Sequence, residues 1–303
     1  FNNDGVDDIA FITKENTLSV AYGSSHEPVE PTRLVVDANT TPTKALGESL
    51  TIGTTTYFVW SDGENGVELW KTDGLNSSTV LVKDITPGAN SSNLSELTNF
   101  NGVLYFIRDN RLWRSDGSAT GTTEVPLVSG SQGYAGVFGL TVSGTSLYFI
   151  ESNFSDRLFR STTAGVSFVV AAPAVVNGNQ ISKLTDVAGT LYYVAKNSSS
   201  NTELWKTGGT SATTFQVDST RPLSGSVPRG LVNVNGTLYY SAYTPSSGSQ
   251  VYNSEVFRTT PSVTTPSVRS TTKVTNLPFD YQADWAMFHN GLYYFSAYTS
   301  SNT

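Results

Sequence analysis

The sequence predicts an all-β fold, a β-propeller of four-stranded blades, and three observations carry the prediction. Hydrophobic residues make up 38% of the chain and charged residues only 14%, while Ser, Thr, Asn and Gly are abundant, which suits a turn-rich β protein better than a helical enzyme. Short β-type runs alternate with clusters of Gly, Asn, Asp and Ser of the kind that close hairpins. Two phrases recur at spacings of 43, 46, 46 and 52 residues, near the period of a propeller blade.

The first phrase reads ELWKTDG at Trp70, RLWRSDG at Trp113, RLFRSTT at Phe159, ELWKTGG at Trp205 and EVFRTTP at Phe257. Upstream of each lies a Gly-containing turn followed by Leu-Tyr-aromatic: NGVLYF to Phe106, GTSLYF to Phe149, GTLYY to Tyr193, GTLYY to Tyr240, and a weaker GTTTYF to Phe58. A sixth copy, NGLYYF, ends at Phe295. Before these comes Leu-Thr or a relative (Leu50-Thr51, Leu97-Thr98, Leu140-Thr141, Leu184-Thr185, Leu231-Val232, Ala286-Met287), and after the Trp phrase comes a β-branched run such as TVLVKDI, Thr79 to Ile85. One unit is therefore four strands. A blade is covered on both faces by its neighbours, so Leu and the adjacent aromatic can both be buried although they point to opposite faces. The Asp-Gly pairs at 73–74 and 116–117 suit a tight turn between the third and fourth strands. The copy at Thr162-Thr163 needs a different or longer turn.

These units divide the chain into one propeller domain, 1–303, with blades at 43–90, 91–134, 135–180, 181–227 and 228–278 and partial blades at 1–42 and 279–303. Residues 17–37 read as third and fourth strands and 284–298 as first and second, so the two ends are expected to make one composite blade and six blades in all; the alternatives are seven blades, with Asp7 to Ile12 as an additional strand, and a larger parent propeller cut at both ends. Closure of this kind removes exposed sheet edges.

The composition also excludes. There is no Cys, one Met and two His, so disulfides, thiolate metal sites and a cysteine nucleophile are ruled out. A net charge of −7 and the lack of clustered Lys and Arg argue against nucleic acid as a partner. The longest apolar stretch, Phe168 to Val176, is far short of a membrane span. The sequence starts at Phe1 without Met and without an apolar signal segment, so any export signal is expected to have been removed or to lie upstream.

The stretches Glu68 to Gly74 and Leu81 to Gly88 closely resemble the unit of the ELWxxDGT repeat proteins of bacteria; Arg111 to Thr122 and Glu203 to Thr210 are near it, and the copies at Phe159 and Phe257 are degenerate. The resemblance spans about residues 32 to 300. It implies an exported surface protein without an assigned enzyme activity. The N-terminal FNNDGVDDIAF resembles the calcium loop of FG-GAP or VCBS repeats, which implies Ca²⁺ held by Asn2, Asp4, the Val6 carbonyl and Asp8 in a structural role. Alternating oxygen ligands around the bend at Gly5 suit a hard cation.

Other candidate residues have plainer readings. The cations Lys71, Arg114, Arg160, Lys206 and Arg258 form either a ring for an anionic ligand or pairs with acids such as Asp84 on adjacent strands. The Tyr-rich segments 239–245 and 293–300 offer stacking platforms for glycans or core packing. His26 and His289 have no patterned nucleophile or acid beside them. The expected function is a non-enzymatic extracellular module for cell-surface structure, adhesion or assembly, with other surface or matrix proteins, or further copies, as partners. The alternatives are a glycan-binding lectin-like propeller and a propeller hydrolase or lyase.

Overall fold

The structure, a computed structural model, describes residues 9–12, 18–21, 33–36, 47–126, 136–153, 155–163, 166–169, 181–196, 201–217, 226–244, 253–259, 271–274, 281–289 and 292–299. It divides into two compact units, Phe1–Pro126 and Leu127–Thr303.

In the first unit, β1 (Ile9–Ile12), β2 (Leu18–Ala21) and β3 (Arg33–Val36) form a three-stranded sheet. Two four-stranded sheets follow: β4 (Ser49–Ile52), β5 (Thr55–Ser61), β6 (Val67–Thr72) and β7 (Val80–Lys83), then β8 (Leu94–Phe100), β9 (Val103–Arg108), β10 (Arg111–Ser115) and β11 (Thr123–Glu124). The second unit opens with two more sheets of the same kind. They are β12 (Gly136–Ser143), β13 (Ser146–Asn153), β14 (Ser155–Thr163) and β15 (Val166–Val169), and β16 (Ser182–Val187), β17 (Thr190–Lys196), β18 (Thr202–Thr207) and β19 (Thr214–Gln216). It continues with β20 (Arg229–Val234), β21 (Thr237–Thr244), β22 (Asn253–Thr259) and β23 (Thr271–Lys273), and ends with the pair β24 (Tyr281–His289) and β25 (Leu292–Thr299).

Every four-stranded sheet is an antiparallel meander in which sequential strands are neighbours. First strands of successive sheets lie side by side, β4 by β8 in one unit and β12, β16, β20 and β24 in turn in the other. That is the stacking of blades, and it explains the second strands. Leu104 to Ile107, Leu147 to Ile150 and Leu191 to Ala195 are buried at every position rather than at alternate ones, because both faces of the sheet are covered.

Local sequence sets the hairpins. Asn101-Gly102, Ala188-Gly189 and Asn235-Gly236 have positive φ at both residues, the requirement of a type I′ turn joining first and second strands. The first strands also carry a feature hidden in the sequence. In β8, β12, β16 and β20 the register shifts by a bulge whose residue, Glu96, Gly139, Lys183 or Gly230, is left-handed. The Thr of the Leu-Thr phrase closes three of these bulges: Thr98, Thr141 and Thr185 donate their hydroxyls to the carbonyls of Glu96, Gly139 and Lys183 at 2.9, 3.2 and 3.0 Å.

Two details differ from the sequence reading. The Asp-Gly segment is not a two-residue hairpin; from β6 to β7 the chain passes through a 3-10 turn at Asn76–Ser78, and of the pair only Gly74 has positive φ. The copy at Thr162-Thr163 is tighter rather than longer, because Thr163 and Val166 are directly paired. At the N-terminus, β1 pairs with β2, which also holds β3, so both edges of β2 are taken.

Candidate functional site

The repeated phrase is where the chain concentrates its distinctive residues, and its geometry shows what they do. In all five four-stranded sheets the aromatic of the phrase stands opposite the aromatic of the Leu-Tyr phrase: Trp70 with Phe58, Trp113 with Phe106, Phe159 with Phe149, Trp205 with Tyr193, and Phe257 with Tyr240. Four of these are buried, and Trp113 is half-buried. Phe159 stacks on Phe149 at 5.5 Å, and Phe257 on Tyr240 at 5.8 Å. The preceding aliphatics, Leu69, Leu112, Leu158, Leu204 and Val256, are buried on the opposite face.

The next residue of the phrase is a cation, and in every sheet it stands opposite a Tyr: Lys71 and Tyr57, Arg114 and Tyr105, Arg160 and Tyr148, Lys206 and Tyr192, Arg258 and Tyr239. The expected pairing with Asp84 is not made. Lys71 Nζ instead donates to the carbonyl of Gly117 at 2.8 Å, in the turn of the following sheet, and Tyr57 Oη lies against the same glycine. Arg160 and Tyr148 close in the same way on Gly209, in the turn after the third strand of the next sheet. The pair is therefore a clamp that one blade closes on the next. Asp84 accepts from the Gly88 amide at 3.1 Å.

That turn has a recurring internal lock. The hydroxyl of Thr72, Ser115 or Thr207 accepts the amide of Gly74, Gly117 or Gly209 at 2.9 to 3.0 Å. The same hydroxyl bonds a threonine seven residues along, Thr79, Thr122 or Thr214, at 2.8 Å. Asp73 and Asp116 fold back to accept the amides of Leu75 and Ser118. These bonds to the ionised carboxylates hold their pKa values below the ordinary range, with the Ser78 and Ser118 hydroxyls contributing most.

The acid that opens the phrase is a latch. Glu68 is fully buried and accepts from Ser92 Oγ at 2.5 Å and from the amides of Ile85 and Thr86 at 3.1 and 3.4 Å. Glu203 takes the Ser226 hydroxyl at 2.6 Å, and Asp156 takes the Ile181 amide at 2.9 Å. Ser92, Ile181 and Ser226 all precede the first strand of the following sheet, so the latch fixes the path from blade to blade. Burial raises the Glu68 pKa, outweighing the bonds that lower it, and Asp84 raises it further. In the β12–β15 sheet the polarity is exchanged: Arg157 takes the place of the acid and meets buried Glu151 at 2.6 Å.

Two expected outcomes arise here. Tyr193 Oη is buried without a hydrogen-bond partner among the described residues, whereas Phe58, Phe106 and Phe149 fill the same register position elsewhere. Tyr193→Phe is expected to raise stability by about 1 kcal/mol by removing an unsatisfied hydroxyl; a lowered melting temperature would show that the hydroxyl is bonded. Burial pushes the Tyr192 phenol up to about 12 from 10.0, against a stabilising bond from Thr259. The folded value lies above the unfolded one, so this contribution is complete below pH 10.0 and is lost as pH rises through about 12. Phenolate absorbance followed together with circular dichroism should show late tyrosine ionisation coinciding with unfolding.

The calcium loop residues Asn2, Asp4, Val6 and Asp8 lie outside the described residues, as does His26. Among the described residues no group of three or more His, Cys, Asp or Glu is placed to hold a metal ion. No described helix is long and apolar enough to cross a membrane. Arg229 stacks on Tyr243 at 5.8 Å, so one tyrosine of the 239–245 segment has a cation over its ring.

No protein-family model matches the chain, and no curated protein matches it. Among solved structures it is similar to a prolyl endopeptidase, with a TM-score of 0.54 and 13% identity over 92% of this chain and 42% of that one. It is also similar to a chain of the nidogen/laminin complex (TM-score 0.39, 9% identity, 78% and 88% covered) and to a puromycin-hydrolysing peptidase of Mycobacterium tuberculosis (0.44, 14%, 89% and 45%). The chain thus spans less than half the length of either peptidase. The prolyl endopeptidase likeness is one of fold, and with the meander sheets it identifies the chain as a β-propeller.

Proposed function

We propose that the chain is a non-enzymatic extracellular β-propeller module for cell-surface structure, adhesion or assembly, as the resemblance of its repeat to the ELWxxDGT surface proteins implies. The observation that best supports this reading is the destination of the repeat's charged groups. Lys71 reaches a turn carbonyl of the next blade, and Glu68, Glu203 and Asp156 hold the segments that lead into the next blade. Catalysis needs titratable groups that converge on a reacting atom. Here they serve the joints between sheets, and what remains for partners is the outer surface.

Antibody labelling of intact and permeabilised cells that make the full-length protein tests the location; labelling only after permeabilisation would overturn it. A panel of peptide, ester and glycoside substrates, with a glycan array, tests the rest. No turnover and no glycan binding are expected. Turnover would favour the hydrolase or lyase, and saturable glycan binding would favour the lectin. Calcium at Asn2, Asp4, the Val6 carbonyl and Asp8 belongs to the same proposal. It is expected to raise stability by about 2.7 kcal/mol at about a hundredfold excess over its dissociation constant, an effect lost in Asp4→Ala and Asp8→Ala. Coincident melts with calcium and with chelator would leave the loop an acidic turn.

A further inference from the structure

We propose that Glu68 is a proton-operated latch on the joint between the β4–β7 and β8–β11 sheets: neutral, it holds the connecting segment closed, and ionised, it loosens that segment. The acid is fully buried, yet its bonds come from the Ser92 hydroxyl and the Ile85 and Thr86 amides, and among the described residues no cation pairs with it. Glu151 and Glu255, comparably buried, each meet a cation, Arg157 at 2.6 Å and Lys273 at 3.4 Å. Glu68 meets a second acid instead. Leu69 pairs with Lys83, so one residue further along the two strands Asp84 comes opposite Glu68, where like charges repel. The Oδ1 of Asp84 is itself buried without a hydrogen-bond partner among the described residues. Burial, the lack of a cation and the facing carboxylate all favour the neutral form.

The other charged groups on the elements packed around it are engaged elsewhere or lie outside. Lys83 reaches the Thr122 carbonyl at 2.7 Å, Glu48 accepts the Leu97 amide at 2.8 Å, Asp62 folds onto the amides of Glu64 and Asn65, and Glu64 is exposed. Arg108, on β9 of the next sheet, pairs with Asp109 at 3.2 Å and donates to Thr86 Oγ1 at 2.9 Å. Thr86 Oγ1 lies 2.9 Å from Ser92 Oγ, so Arg108 reaches Glu68 only through two hydroxyls. While Glu68 is ionised, Thr86 donates to Ser92 and Ser92 to the carboxylate. A proton on Glu68 reverses the relay: its hydroxyl donates to Ser92, and Ser92 donates to Thr86. The Ile85 amide keeps its acceptor, while the repulsion from Asp84 and the burial of a charge disappear. Folded Glu68 therefore holds its proton above 4.5, its ordinary value. Stabilisation by the neutral acid is complete below pH 4.5 and lost as pH rises through the folded value. Asp73 and Asp116 act in the opposite sense, losing their contribution only below 3.8, so the two windows stay apart.

Hydrogen exchange on the full chain reads the latch at the amides of Ile85 and Thr86. Their protection, corrected for intrinsic rates, is expected to fall as pH is raised from 4.5, and a carboxylic-acid infrared band absent from Glu68→Gln is expected to persist above that pH. Glu68→Gln carries a neutral side chain of the same shape that can donate to Ser92, so its protection should match that of the acid form and no longer change with pH. Asp84→Asn removes the repelling charge while leaving Glu68 in place, and it should move the transition to lower pH; it carries the test if Glu68→Gln does not fold. Protection in the unaltered chain that is constant with pH or rises with it, an equal pH dependence in Glu68→Gln, or an unmoved transition in Asp84→Asn would each overturn the proposal. None of these results bears on cell-surface labelling or on turnover, so this inference and the proposed function fall separately.

Discussion

Replacing Phe159 with Ala is expected to cost about 3–5 kcal/mol, because it empties a fully enclosed aromatic site. Phe159 is 1% exposed, stacks on Phe149 at 5.5 Å and neighbours Leu158 at 0%. The guanidinium of Arg157 lies 5.6 Å from its ring centre, so truncation also removes a partner from the Glu151 ion pair's cation. Urea unfolding followed by fluorescence and circular dichroism measures the loss. Trp113→Ala provides the control: its ring is half-buried, with Lys83 and Arg108 at 5.9 and 5.5 Å on its faces, so its loss should be clearly smaller. Equal losses would mean that burial between blades does not set the energy.

The second large effect belongs to a glycine. At Gly209, φ is +101°, and an added β-carbon would come within 2.1 Å of Arg160 Nη1 and 2.7 Å of Tyr148 Oη. Gly209→Ala is expected to cost about 2–4 kcal/mol, part from the forbidden backbone region and part from forcing the clamp open. A double-mutant cycle separates the two. In a Tyr148→Phe background the clash with the hydroxyl is gone, so the cost of Gly209→Ala should fall while the backbone part remains. An unchanged cost would assign the effect to φ and to the Arg160 contact.

The aromatic register was legible in the sequence because burial on both faces writes a continuous apolar run, and the same run five times leaves little freedom in alignment. Type I′ hairpins were legible at Asn101-Gly102 and Asn235-Gly236 because positive φ at two successive positions selects for those residues. The partners of the cations were not. Lys71 bonds a carbonyl 46 residues away, and nothing in a string of letters marks a carbonyl as an acceptor. The threonine seven residues past Thr72, Ser115 and Thr207 was on the page in three copies, but its spacing follows the path of a turn rather than a helical or strand period. The bulges were concealed for a related reason. Glu96 and Lys183 adopt left-handed backbone without being glycine, held there by a threonine hydroxyl that reads in sequence as ordinary β-propensity.

The choice of acceptors at the joints also bears on how far such a chain can drift. Lys71 and Lys83 end on the carbonyls of Gly117 and Thr122, and Asn233 reaches the carbonyl of Asp186. A contact that ends on backbone makes no demand on side-chain chemistry in the receiving copy, so, apart from the glycine on which the clamp closes, mutation there leaves the contact standing as long as the turn keeps its path. Copies can then diverge one at a time without a compensating change next door. The fading of the phrase from ELWKTDG to EVFRTTP is the mark of joints that specify a shape and tolerate many spellings of it.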